Sequence, residues 1–84
     1  MAVKYEINMF ETDPNDASKT FVTLVVTTET GKSLAISKSV TTGSNTDAQI
    51  VKAAQTAAQS EIDTWVSQVT NIGKTWNPDT EKIE

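Results

Sequence analysis

The sequence predicts an α+β domain: a three-stranded antiparallel β-meander followed by one long C-terminal α-helix packed on one face of the sheet. Three observations predict it. Apolar and polar residues alternate from Val3 to Met9, the runs TFVTLVVTT and SLAISKSV are rich in β-branched residues, and after residue 46 the apolar period lengthens from two to between three and four. No repeat or low-complexity linker interrupts this order. Residues 1–76 therefore read as a single small domain, and 77–84 as a short acidic tail expected to fray.

The first strand spans residues 2–10, with Val3, Tyr5, Ile7 and Met9 on one face and Lys4, Glu6 and Asn8 on the other. Next comes ETDPNDASK, residues 11–19, whose proline, asparagine, aspartates and serine mark a long exposed loop. The second strand sets Val22, Leu24 and Val26 on one face and Phe21, Thr23 and Val25 on the other; the third aligns Leu34, Ile36 and Val40. Lys38, between Ser37 and Ser39, reads as decoration of an exposed strand face.

Register can be argued from the ETGK connection. A two-residue Thr30-Gly31 loop would pair Glu29 with Lys32 and carry Leu34 and Ile36 to the threonine face, splitting the core. A three-residue loop, Glu29-Thr30-Gly31, pairs Val26 with Leu34 and Leu24 with Ile36, and it puts glycine at the left-handed position. With the first two strands as neighbours, the same logic pairs Phe10 with Phe21, Met9 with Val22, Ile7 with Leu24 and Tyr5 with Val26. The helix is then expected on the face made by Tyr5, Ile7, Met9, Leu24, Val26, Leu34 and Ile36.

The helix begins at a capping box: Thr46 is the N-cap, Gln49 stands three residues on, and Asp47 complements the positive helix end. Val51, Ala54, Ala58, Ile62, Trp65, Val69 and Ile72 form one stripe, so the helix should run from about Asp47 to Ile72, with Gly73 as C′ and Lys74 beside the negative end. Such a helix is about 39 Å long, against about 30 Å for strands of eight or nine residues. One end is expected to overhang the sheet. Trp76, on a short arm before the Asn77-Pro78 turn, should fold back over Val69 and Ile72 as a lid on that end.

Composition narrows the function. The 84 residues include no cysteine, histidine or arginine, which removes disulfides, thiolate metal sites, the commonest general base and the residue best suited to bidentate grips on phosphate. A net charge of -4 with seven scattered lysines argues against a nucleic-acid partner. The longest apolar stretch, FVTLVV, is far short of a membrane span, and MAVKYEINMF lacks the pattern of a signal peptide, so a cytoplasmic protein of the producing or host cell is expected.

No cofactor or metal is expected. Glu11, Asp13, Asn15 and Asp16 offer hard oxygens but lack the glycine and terminal glutamate of a calcium loop, so a solvated turn is the better reading. Glu61 and Asp63, two apart on a helix, point in different directions and make a poor catalytic pair. The hydroxyls have no histidine to activate them, and TGK at 30–32 lacks the spacing of a phosphate loop. An enzyme is not expected.

Interaction surfaces are left. Phe10 and Phe21 would pair on an otherwise polar face; Ile50, Ala53 and Ala57 flank the main helical stripe; Trp65, Val69, Ile72 and Trp76 gather at the overhang; and both outer strands are open edges. These features suggest a non-enzymatic binding or assembly module whose partner is another protein or a second copy of itself, self-associating through the helix overhang or a sheet edge. A virus- or phage-encoded accessory or virion protein is the alternative, from the compact reading frame and Thr/Ser-rich strands.

Overall fold

A computed structural model describes residues 3–84. It contains β1 (Val3–Asp13), β2 (Asp16–Thr28), β3 (Ser33–Thr41), α1 (Asp47–Val69) and two short tail strands, β4 (Trp76–Asn77) and β5 (Lys82–Ile83). The expected α+β fold is present: β1, β2 and β3 form an antiparallel sheet in sequence order and α1 packs on one face. Ala2, expected in the first strand, lies outside the described residues.

The long loop expected at 11–19 is not there. Both strands continue through it to a tight turn at Pro14-Asn15, with Glu11 opposite Phe21 and Thr12 opposite Thr20. The turn-forming residues act locally: the Asp13 carboxylate accepts the Asn15 N–H at 2.8 Å and the Asp16 carboxylate accepts the Ser18 N–H at 3.0 Å. Polar residues with one face in water can still complete a ladder, which composition alone concealed.

The second hairpin has the expected register, Val26 with Leu34 and Leu24 with Ile36. Its three-residue loop closes with Thr28 N–H donating to Lys32 O at 2.8 Å, and Gly31 takes φ 86°. The first hairpin follows expectation only in part. Tyr5 pairs with Val26 and Ile7 with Leu24, but a bulge at Asn8 then sets Met9 opposite Thr23 and Phe10 opposite Val22. One extra residue on β1 exchanges the faces of everything beyond it. Met9 leaves the helix side, Phe10 joins it, and the expected Phe10–Phe21 pair does not form.

The core consists of Val22, Leu24 and Val26 from β2 and Ile50, Ala54, Ala58 and Ile62 from α1, each no more than 3% exposed. Ile36, Val40 and Val51 flank its first half, and Val3, Trp65 and Val66 the second. Ala54 and Ala58 let the helix backbone approach β2, and the helix lies over β2 and β3. The covered face therefore differs from expectation: Tyr5 and Ile7 are 37% and 52% exposed, and Met9 is on the other side.

The expected difference in length is also reversed. The 13 residues of β2 span about 43 Å, whereas the 23 residues of α1 span about 35 Å. The capping box forms as expected, with Gln49 N–H donating to Thr46 Oγ1 at 3.2 Å and Thr46 N–H to Gln49 Oε1 at 2.8 Å. The helix ends three residues early, at Val69, because the last turn tightens. Asn71 N–H donates to Gln68 O and Ile72 N–H to Val69 O, both at 3.1 Å, while the Thr70 hydroxyl donates back to Val66 O at 2.8 Å.

Candidate interaction surface

A helix is about 10 Å across and strands are about 4.8 Å apart, so one helix roofs about two strands. Here those two are β2 and β3. The helix-side face of β1 becomes the floor of a shallow groove, walled on one side by α1. Near the bulge the groove is formed by Ile7 and Phe10 from β1 with Ala48 and Val51 from the first turns of α1. Further along, Val3 and Tyr5 face Gln59, Asp63 and Val66. Phe10 is 39% exposed, so three large apolar side chains, Tyr5, Ile7 and Phe10, share this open floor.

The helix wall is polar where it rises above the floor. Gln55 donates to Gln59 at 3.4 Å and Gln59 to Asp63 at 2.8 Å, a ladder of i, i+4 bonds. The opposite face of the sheet has a different character. Cross-strand hydroxyls pair there, Thr23 with Ser37 at 2.8 Å and Thr27 with Ser33 at 3.2 Å. Among the described residues no buried side-chain polar atom lacks a hydrogen-bond partner.

The structure separates the other sequence-derived candidates. Ile50 is core, at 3% exposure; Ala53 and Ala57 are exposed; Trp65 and Val69 are half-buried. Phe21 lies on the face away from the helix, bracketed by Glu11, the Asp13–Asn15 turn and Ser39. Trp76 is no lid on the helix end: it is 60% exposed, Ile72 beneath the expected lid is 62% exposed, and the indole sits across from Ile83 in the β4–β5 hairpin. Reciprocal bonds between Thr75 and Glu84, at 2.9 and 2.8 Å, close that hairpin and draw in the tail expected to fray.

Lys38 is another correction. The alternation of Leu34 and Ile36 carries it to the helix side, opposite Val22, where its ammonium meets Glu61 at 2.6 Å. Glu61 thus turns toward β3 while Asp63 accepts from Gln59, so the two carboxylates diverge. At the first hairpin, the Ser39 hydroxyl and the Asn15 N–H hold the Asp13 carboxyl below the usual carboxylate range, and the Ser18 hydroxyl and N–H do the same for Asp16. Among the described residues no group of three or more acidic side chains is placed to hold a metal ion, and no helix is long and apolar enough to cross a membrane.

Sequence reasoning missed Tyr5 and Ile7 as surface residues because it assigned them to the core. The width of one helix against three strands was the signal that could have found them. Compared with known proteins, the chain matches no family model, no curated protein and no solved structure. The groove itself is therefore the basis for a functional reading.

Proposed function

We propose that this chain is a non-enzymatic assembly module that self-associates through the β1 side of its sheet. The observation that supports this reading is the open apolar floor of Tyr5, Ile7 and Phe10, continuous with a free strand edge. The overall dimensions point the same way. The radius of gyration is 16.6 Å, where a compact chain of this length has about 12 Å. The accessible surface is 5716 Å² for 9.1 kDa, about 800 Å² more than a compact monomer exposes. That excess goes with an elongated shape, 56 × 19 × 18 Å, that leaves the floor of Tyr5, Ile7 and Phe10 uncovered.

The chemistry available favours assembly over catalysis. Without histidine or cysteine, and with Asp63 bonded to Gln59, the groove offers apolar surface to bury and lacks the residue types most used to activate a nucleophile. Sedimentation over the micromolar range tests the reading. The native chain should associate, and Ile7→Ser should shift it toward monomer while leaving the monomer folded, since Ile7 is half-exposed there already. A native chain that stays monomeric at every concentration overturns it.

A further inference from the structure

We infer that β1 pairs antiparallel with β1 of a second copy, about a two-fold axis beside Ile7 and Asn8, with Tyr5 set against Phe10 and Lys4 against Glu11. This mode rests on the self-association reading above and adds its geometry. β1 is an outer strand, so the backbone groups on its far side have no partner within the sheet.

The bulge selects the register. Before Asn8 the odd-numbered residues Val3, Tyr5 and Ile7 lie on the helix side; after it the even-numbered Phe10 does, while Met9 and Glu11 lie on the other face. A two-fold axis sets residues before the bulge against residues after it. Side chains then agree in face only when an odd-numbered residue opposes an even-numbered one. Three central registers meet this condition. One sets Glu6 against Glu11, opposing like charges twice beside the axis, and its compensating Lys4–Asp13 pairs fall at the hairpin turn, where the Asp13 carboxylate already accepts from Ser39 and Asn15. Another sets Lys4 against Met9 and forces Glu6 and Ile7, which belong to opposite faces, together at the axis. The third pairs Lys4 with Glu11 twice on the outer face and Tyr5 with Phe10 twice on the helix side. A bulge on an edge strand ordinarily deters strand addition. Here Asn8, the extra residue of each copy, lies against Ile7 of the other at the axis, so the two insertions sit side by side and their offsets cancel.

The product is a six-stranded sheet with both helices on one face. The two β1 strands form a channel about 10 Å wide between them, filled by Tyr5, Ile7 and Phe10 of both copies. Association thus completes the layer that a single helix leaves open.

Because the chain has no cysteine, Lys4→Cys and Glu11→Cys variants test the register directly. Directly opposed antiparallel residues have Cα atoms about 4.5–5.5 Å apart, within disulfide reach. An equimolar mixture of the two variants should yield a covalent dimer on mild oxidation. Neither variant alone should do so, since identical positions would lie about 23 Å apart along the strands. In parallel, Lys4→Glu should weaken dimerisation about tenfold, and Lys4→Glu with Glu11→Lys should restore it. Cross-linking of either variant alone as readily as the mixture overturns the register. So does a sedimenting dimer that neither cross-links in the mixture nor responds to charge reversal, an outcome that leaves self-association itself standing. A chain that sediments only as monomer overturns both.

Discussion

At Asn8, β1 carries one residue more than β2 can pair, and that single insertion moves Phe10 onto the helix side and Met9 off it. A second residue with consequences beyond its neighbours is Asp13, whose carboxylate accepts from the Ser39 hydroxyl on β3 and so ties the turn between β1 and β2 to the far strand. Its pKa is lowered chiefly by that bond, then by the Asn15 N–H. A lowered folded-state pKa stabilises the fold above the unfolded value, near pH 4, and the contribution is lost as pH falls through the lower folded value. Ser39→Ala should raise the Asp13 pKa toward the ordinary range, read by NMR titration of its side-chain carbonyl, while Asp16, held by Ser18, should keep its low value. A titration curve for Asp13 unmoved by the substitution would refute this role for Ser39.

Among the elements, α1 was the most legible, because its start signals are local. Thr46, Asp47 and Gln49 specify the first turn by hydrogen bonds that need no tertiary partner, and the reciprocal bonds form as expected. Thr46→Ala should cost about 1 kcal/mol, measured by urea denaturation, with little change in the slope of the transition. The helix end was less legible: Gly73 does take a left-handed φ of 93°, but Thr70 closes the helix first by bonding back to Val66 and Ser67. The second hairpin was readable because a glycine-bearing loop of fixed length sets its register. The first was not, since its register depends on where a bulge absorbs one residue.

For the whole molecule, the decisive relation is between the width of one helix and three strands. The alanines at 54 and 58 bring α1 close to β2, and Ala58 is fully buried while its neighbour Ala57 is exposed. Ala58→Leu should therefore destabilise the chain by about 1–3 kcal/mol through overpacking, and Ala57→Leu should be nearly neutral. Thermal melts of the two variants would check the pair, and similar effects from both would show that the packed face of α1 has been misassigned. The sequence by itself determined the order β1-β2-β3-α1, the hairpin at Glu29–Gly31, the capped helix start and the absence of the residue types most used in catalysis, because these depend on local backbone preference and composition. Tertiary structure decided which strands the helix covers, the face of Phe10, the Lys38–Glu61 pair and the exposure of Trp76. Those follow from competition among packing surfaces distant along the chain, where a helix wide enough for two strands leaves the helix-side face of the third open.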